Sequence, residues 1–226
     1  MRVLGYDNDP INQNLLLDIF MDEGAGLIAH DSAKPHHVDP TLVGTPTWTN
    51  VSGLSVLNFD RTHPDYVRIL LANCADINFT TQPFTISCWI YSTSNTWNTD
   101  FIMFGNGGDR GYELGKWTTG GIYLKVCGGT YKVTSPISLN VWHFIALTRI
   151  TTNAWGYVDG IQQTLESDVP VSITISAADL AIGGAGSGGG YGGWLGMLYR
   201  PRIWSRALAP REINELFQRE RGLFGV

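Results

Sequence analysis

The sequence has few charged residues and no long apolar run. Charged residues make up 15% of the 226 positions, and the formal net charge is −5. The basic surface that nucleic-acid binding requires is therefore missing. No apolar run approaches the roughly 18 residues needed to span a membrane, and the first residues contain no apolar segment typical of a secretory signal. We expect a protein that neither binds nucleic acid nor inserts into a membrane.

Cysteine is also scarce, whereas glycine and aromatic residues are abundant. The three cysteines, Cys74, Cys88 and Cys127, have no C-x-x-C spacing, which argues against a disulfide framework and a zinc site. The 27 glycines and the 12% of aromatic residues are typical of strands and turns. The length fits one large β domain. We expect an N-terminal arm (1–13), a domain (14–220) and a C-terminal tail (221–226).

Apolar alternation predicts many strands and a single helix. The helix is expected at 209–220, where Pro210 stands near the first turn and apolar residues follow at three- and four-residue spacing. Asp159-Gly160 predicts a tight hairpin turn, and Pro201 predicts an edge or a bulge. The segment 106–120 is interpreted as a connection. Strands are predicted at 14–21, 54–60, 66–72, 84–92, 100–105, 121–127, 141–149, 154–165, 180–184 and 194–204.

The glycine-rich stretch IGGAGSGGGYGGW (182–194) contains the letters G-x-G-x-x-G of a dinucleotide-binding turn. Such a site needs a helix directly after the glycines, whose N-terminus holds the pyrophosphate. Here a strand containing Pro201 follows instead. The stretch is therefore interpreted as a connection without side chains between two strands. Alternatively, the glycines let a ligand approach the backbone beside Tyr191 and Trp194.

Seven segments, in order, carry a family resemblance over about residues 14 to 220. They are LLLDIFMDEGAG, TPTWTN, LNFDRTHPDYVRI, FTISCWI, VWHFIALTR, WGYVDG and RIWSRALAPREI. With these segments the chain resembles the laminin-G-like, concanavalin-A-like jelly rolls. The resemblance implies an all-β fold: an antiparallel two-sheet jelly-roll sandwich with one concave face and, in this chain, one short C-terminal helix.

The fold alone does not decide the function, because it hosts lectins, adhesion modules, glycosidases and structural proteins. Glucanases of this fold carry E-x-D-x-x-E on one strand, which places the carboxylates of a retaining mechanism on one face. This chain contains no such motif, and its Asp22-Glu23 pair would face opposite ways on a strand. It also lacks a nucleophile elbow. We therefore expect that the protein is not an enzyme.

A calcium ion is the one metal that the resemblance allows. Related jelly rolls hold calcium at a sheet rim through carboxylate and carbonyl oxygens, and Asp60 and Asp65 match the acidic turn of the family. However, relatives carry Asp-Glu before the last strand, where this chain has Tyr199-Arg200. That difference removes two oxygen ligands and adds a cation. We expect no required cofactor, with calcium at Asp60 and Asp65 as the candidate.

Aromatic residues outside the expected core are candidates for sugar binding. Sugars stack their C–H faces on Trp and Tyr, and their hydroxyls pair with polar side chains. Trp89, Trp142 and Trp204 match core positions of the family and are set aside. The alternative is that the remaining rings cover a satellite core beneath long loops. The predicted ligand-binding residues are Trp97, Asn106, Asp109, Arg110, Tyr112, Trp117, Tyr131 and Tyr191.

Three functions follow from these patterns. The first is a non-catalytic module that binds glycans or polysaccharides through loop aromatics. The second is a structural or decoration protein of a virion or cell surface, similar to phage-encoded chains, with a virion-surface or extracellular location. It would dock a protein partner or a second copy through residues 1–13 and 220–226, since Leu223, Phe224 and Val226 are apolar. The third is a glycosidase with an unfamiliar acid pair.

Overall fold

The computed structural model describes residues 6–34, 39–61, 65–95, 99–104, 110–126, 129–132, 136–163, 170–184 and 193–226. These residues form two antiparallel sheets, which confirms the predicted all-β sandwich. Helix α1 (Pro210–Glu220) confirms the predicted C-terminal helix. None of the described helices is long and apolar enough to cross a membrane.

The larger sheet has eight strands among the described residues. Its order is β13-β12-β11-β6-β15-β4-β3, and β1 also pairs with β15. The predicted hairpin is confirmed, because Val158 pairs with Ile161 across a turn in which Asp159 and Gly160 have positive φ. The strands are β1 (Leu15–Asp18), β3 (Thr47–Val51), β4 (Leu54–Phe59), β6 (Phe84–Ser92), β11 (Trp142–Ile150), β12 (Asn153–Val158), β13 (Ile161–Gln163) and β15 (Gly196–Trp204).

The smaller sheet has seven described strands in the order β10-β9-β8-β7-β14-β5-β2. Strand β8 corrects the interpretation of 106–120 as a connection: apolar alternation is weak there because Glu113, Gly115 and Lys116 interrupt it. The strands are β2 (Thr41–Val43), β5 (Tyr66–Ile69), β7 (Thr99–Phe104), β8 (Tyr112–Lys116), β9 (Ile122–Val126), β10 (Gly129–Lys132) and β14 (Leu180–Ile182).

The main core lies between the two sheets. Cys88 is fully buried on the same face of β6 as Phe84, Ile86 and Ile90, as the alternation predicts. A second apolar cluster lies on the outer face of the eight-stranded sheet, where α1 packs on it. In that cluster the rings of Trp89 and Phe217 are 5.8 Å apart. The helix therefore closes the outer face of this sheet.

The bulge predicted at Pro201 is confirmed in a central strand. The register of β15 against β6 shifts between Tyr199 and Arg202, and Arg200 adopts a positive φ of 52°. The carbonyl of Pro201 accepts a hydrogen bond from the N–H of Ile19 at 3.1 Å. Since proline has no N–H to donate, the bulge lets it stand inside a sheet without leaving a ladder acceptor unpaired.

The two chain ends pack on their own domain. The indole of Trp204 donates to the carbonyl of Ile11 at 2.8 Å, so the described part of the arm lies against β15. In the tail, the ring of Phe224 lies 4.3 Å from that of Trp89 and 4.5 Å from that of Trp142. Phe224 is thus partly used by its own domain, whereas Leu223 remains exposed, and docking of a partner through the tail stays a prediction.

At two described positions of the glycine-rich stretch, the backbone passes so close to neighbouring residues that only glycine fits. Gly183 has a φ of +89°, and a Cβ there would lie 2.2 Å from a ring carbon of Phe59. A Cβ on Gly184 would lie 2.5 Å from the carbonyl oxygen of Asp65. At these two positions the backbone passes too close to its neighbours for any side chain. The remaining part of the stretch, 185–192, lies outside the described residues.

Candidate functional site

The outer face of the seven-stranded sheet carries the described candidates that point away from the core. Tyr112 and Leu114 of β8 are buried between the sheets. Successive side chains of a strand point to opposite faces, so Glu113 and Gly115 belong to the outer face. Tyr123 of β9 stands directly opposite Gly115 in the register and shares that face.

Trp117 and Tyr123 form an aromatic pair on this face. Their ring centroids are 4.7 Å apart, because Trp117 stands diagonally across from Tyr123 and such diagonal positions are within reach of aromatic side chains. Gly115, directly opposite Tyr123, has no side chain and leaves that space open. Trp117 is half-buried, and its Nε1 atom is buried without a hydrogen-bond partner among the described residues. Since Tyr123 is 3% exposed, Trp117 alone offers part of a ring face, and its buried N–H is a donor without a partner in the described structure.

The turn between β8 and β9 holds Trp117 in place. The backbone of Trp117 accepts from Gly120 at 2.8 Å and donates to Gly121 at 2.9 Å. Gly120 has a φ of +87°, and a Cβ there would lie 3.3 Å from the side chain of Asn95. Its carbonyl accepts from the N–H of Ile137 at 3.1 Å. Contacts on several sides thus fix the turn that presents the indole.

Lys116 anchors the base of this turn. It points into the sandwich, like Tyr112 and Leu114, and is fully buried. Its Nζ donates to the carbonyl of Ser94 at 2.7 Å and to Oδ1 of Asn95 at 2.8 Å. Burial lowers the pKa of Lys116 to about 8, because desolvation disfavours the charged amine. The lysine therefore ties residues 94–95 to the hairpin from below.

Tyr112 is removed from the ligand-binding candidates. Its side chain is 1% exposed, its hydroxyl donates to the carbonyl of Ile77 at 3.1 Å, and its ring stacks on Phe84 at 5.2 Å. Burial raises the pKa of Tyr112 well above its ordinary value. A ring enclosed in this way has no free face for a sugar. Tyr112 is therefore a core residue.

The remaining ligand-binding candidates are only partly described. Arg110 is exposed just before β8, whereas Trp117 lies at the other end of that strand. Tyr131 lies in β10 and pairs with Leu124 of β9, but its side chain is not described. The candidates that lie outside the described residues are Trp97, Asn106, Asp109 and Tyr191.

The two predicted calcium ligands lie in the connection between β4 and β5. Asp60 is exposed. Asp65 is 2% exposed, and its Oδ1 accepts from the N–H of Thr45 at 2.6 Å, while its Oδ2 is buried without a hydrogen-bond partner. Within the described part of the chain, no group of three His, Cys, Asp or Glu side chains is arranged to hold a metal ion.

The sequence predictions missed Tyr123, although its signal was present. In GIYLKVC the apolar Ile122, Leu124 and Val126 alternate with Tyr123. That alternation places Tyr123 on the face opposite to the core. It is the neighbour that completes the Trp117 pair, and it lay inside a predicted strand rather than in a loop.

The fold is similar to that of several solved structures. The binding domain of Paraclostridial mosquitocidal protein 1 matches with a TM-score of 0.72 and 15% identity over 92% of this chain and 52% of that one. The binding domain of botulinum neurotoxin DC, in complex with SialylT, matches with a TM-score of 0.71 and 14% identity over the same shares. The chain thus spans about half the length of these toxin domains.

A third structure is similar over its whole length. Domain 4 of an extracellular arabinanase from Geobacillus stearothermophilus, in complex with arabinotriose, matches with a TM-score of 0.67 and 16% identity over 91% of this chain and 98% of that domain. None of the curated proteins matches the sequence. The family model described as the concanavalin A-like lectin/glucanases superfamily matches residues 65–214. The chain therefore belongs to the concanavalin A-like lectin/glucanase superfamily.

Proposed function

We propose that this protein is a non-catalytic glycan-binding module and that the partly exposed ring of Trp117, supported by the buried ring of Tyr123, is the stacking platform of its site. The observation that carries the proposal is the half-buried ring of Trp117, whose Nε1 has no hydrogen-bond partner among the described residues. A sugar ring supplies what this position lacks, namely C–H groups for the ring face and a hydroxyl oxygen for the indole N–H.

Structural similarity supports the same class of ligand. The arabinanase domain was solved with arabinotriose. A further similar structure belongs to botulinum neurotoxin type C, whose cell entry depends upon interaction with two ganglioside molecules. Those ligands belong to the other proteins, and identities of 14–16% relate the folds alone. The arabinanase domain supports the proposal most directly, because this chain matches 98% of a domain that was solved with a sugar.

The carboxylates on the outer face favour binding over hydrolysis. A glycosidase needs one carboxyl group as an acid and a second as a base or nucleophile. Glu113 lies on this face, but it is 2% exposed and already interacts within the protein. A buried carboxylate that is already engaged is poorly placed to act on a substrate. If Glu113 nevertheless served as one member of such a pair, Glu113→Gln would abolish the activity.

A glycan array with the wild-type protein, Trp117→Ala and Trp155→Ala tests the proposal. Trp155 is the matched control, because it is a partly buried tryptophan packed on the other sheet. We expect defined hits for the wild type and for Trp155→Ala, and their loss in Trp117→Ala. Thermal unfolding of all three proteins shows whether a loss of binding merely follows a loss of folding.

Two outcomes would contradict the proposal. If the wild type binds no glycan on the array, the stacking platform has no ligand and a structural role gains weight. If the protein releases reducing sugar from a polysaccharide that it binds, and Glu113→Gln stops this release, the protein is a glycosidase. Retention of the hits in Trp117→Ala would move the site elsewhere on the fold.

We also propose that Asp65 contributes an oxygen to a calcium ion at the rim. Its buried Oδ2 lacks a hydrogen-bond partner, and a carboxylate oxygen is the kind of ligand that calcium takes. Isothermal titration of chelator-treated protein with calcium, compared with Asp65→Asn, provides the test. Binding that is lost in Asp65→Asn supports the site, and equal heats for both proteins argue against it.

A further inference from the structure

Arg68 carries a positive charge without a counter-charge on the outer face of the seven-stranded sheet. Its neighbours in β5, Val67 and Ile69, are buried between the sheets, which places Arg68 on the opposite face. The Nε atom of Arg68 is buried without a hydrogen-bond partner. Its half-buried side chain makes no ion pair or hydrogen bond with the part of the chain that the structure describes.

Three other residues line up with Arg68 across this face. Thr41 of β2 stands opposite Arg68 on one side, and Ala181 of β14 stands opposite it on the other. Ile28 forms a bridge with Thr41 and continues the line. Directly opposite residues of antiparallel strands share a face, so the four form one row, the Arg68 row. Ile28 is 47% exposed, and Thr41 is exposed as well.

The nearest described side chains leave the charge of Arg68 unmatched. Asp179, just before β14, accepts a hydrogen bond from the N–H of Leu71 at 2.8 Å, and among the described contacts it forms no ion pair with Arg68. Tyr66, the next residue of β5 on the same face, is buried and neutral. A half-buried charged group without a partner costs free energy. The row therefore has an energetic deficit that an external anion would remove.

The chemistry of the row indicates what kind of anion fits. A guanidinium group donates two parallel N–H bonds to a carboxylate or a sulfate. The exposed Ile28 side chain suits the apolar face of a sugar ring, and the Thr41 hydroxyl suits a sugar hydroxyl. Ala181 adds only a methyl group beside Arg68 and is itself fully buried, so we expect the anion to approach Arg68 from the side of the exposed Thr41 and Ile28.

We propose that the Arg68 row binds the carboxylate or sulfate group of an acidic glycan. This inference rests on the proposed glycan-binding function and names its substrate class. Strand β5 lies four strand spacings, about 19 Å, from β9, which carries Tyr123. That distance is one that an oligosaccharide of several sugar units can span.

Calorimetric titration of three matched oligosaccharides tests the inference: one with a uronate, one with a sulfate and one neutral. The proteins are the wild type, Arg68→Met, Arg68→Lys and the control Arg211→Met, since Arg211 is exposed on α1 over the other sheet. We expect Arg68→Met to weaken acidic-glycan binding by about 10- to 100-fold, as for loss of a charge-assisted hydrogen bond. Neutral binding stays unchanged, Arg68→Lys is intermediate, and Arg211→Met behaves as the wild type.

A stability measurement separates ligand binding from a structural role. Because Arg68→Met removes an unpaired charge and keeps an unbranched side chain, its melting temperature should equal or exceed that of the wild type. A clearly lower melting temperature would assign the arginine to the fold and overturn the inference.

The outcomes of the titrations separate this inference from the proposed function. Equal affinity of the wild type for acidic and neutral glycans, or wild-type affinity in Arg68→Met, overturns the inference and leaves glycan binding intact. Binding of a polyglutamate peptide as tight as that of the acidic glycan overturns the assignment to a glycan. Absence of binding to every glycan overturns both. Preference for the uronate or the sulfate supports the inference and identifies the anion.

Discussion

Glu220, at the C-terminal end of α1, joins the helix to the eight-stranded sheet. It is 5% exposed and accepts from the indole of Trp89 at 2.7 Å. Its two carboxylate oxygens also accept from Arg202 at 2.8 and 2.9 Å, and Arg200 donates to it at 2.6 Å. We predict that Glu220→Ala is the most damaging single truncation on this helix.

The size of the effect follows from the groups that the truncation leaves behind. Removing one partner of a buried ion pair costs about 3–5 kcal/mol, because the other charge stays buried and unpaired. Arg200 keeps a second partner in Asp18 at 3.0 Å, whereas Arg202 has no second partner in the described residues. The unsatisfied indole N–H of Trp89 adds to the loss, although contributions within one network are not additive. We therefore expect a loss of about 4 kcal/mol.

Urea denaturation followed by tryptophan fluorescence measures this loss. The matched control is Glu215→Ala, on the same helix, which removes an exposed pair with Arg219 and should cost only about 0.5 kcal/mol. The reasoning is refuted if Glu220→Ala and Glu215→Ala lose the same free energy of unfolding within 1 kcal/mol.

The pH dependence supplies a second check on the same residue. Burial alone would raise the pKa of Glu220, but Arg202 and Arg200 hold it below its ordinary value. The unfolded state then takes up a proton at a higher pH than the folded state, so this contribution is present above the ordinary carboxyl pKa and is lost as the pH falls. The stability difference between the wild type and Glu220→Gln should shrink between pH 6 and pH 3.

Three further predictions concern the core, the tail and the base of the turn. Gly183→Ala should destabilise the fold by several kcal/mol, because its Cβ would lie 2.2 Å from a ring carbon of Phe59. The control Gly222→Ala, whose Cβ would have no atom within 4 Å, should leave the melting temperature unchanged. Phe224→Ala should cost about 2 kcal/mol, less than a fully buried phenylalanine, and Leu223→Ala should cost little. The amine of Lys116 has a pKa of about 8 in the folded protein, so between pH 8 and 10.5 it is protonated only in the unfolded state. Over this window the free energy of unfolding of the wild type should therefore rise with pH relative to that of Lys116→Met. A constant difference over that window would contradict the last prediction.

Local pattern predicted most strands but not β8. Strand β6 was predicted at its observed bounds, because apolar residues alternate along it. In β8, by contrast, Glu113, Gly115 and Lys116 interrupt the apolar pattern, and the strand forms because β7 and β9 pair with it on both sides. Lys116 can be buried there only because Ser94 and Asn95 accept its hydrogen bonds, and no local pattern records those partners.

The candidate site was predicted in part for a similar reason. Trp117 was selected because it stood in a presumed loop, and it does lie at a turn. Tyr112 was selected on the same ground, yet the strand turns its ring into the core. Arg68 was not selected, since its lack of a partner depends on which residues the register places opposite it. Strand β5 pairs with β2 and β14, which are distant from it in the sequence, and the pattern of neighbouring residues does not predict such a pairing.

What distinguishes Trp117 from Trp142 is coverage by the chain itself. Trp142 also has a buried indole nitrogen without a hydrogen-bond partner, so an unused donor alone does not identify a binding residue. The ring of Trp142, however, is 4% exposed and packs against Phe224 of the tail. On the eight-stranded sheet, the helix and tail thus supply the apolar contacts that its aromatic residues need. No described helix packs over Trp117, whose side chain is only partly buried beside Tyr123, and this is why we propose Trp117 and not Trp142 as the ligand-contacting ring.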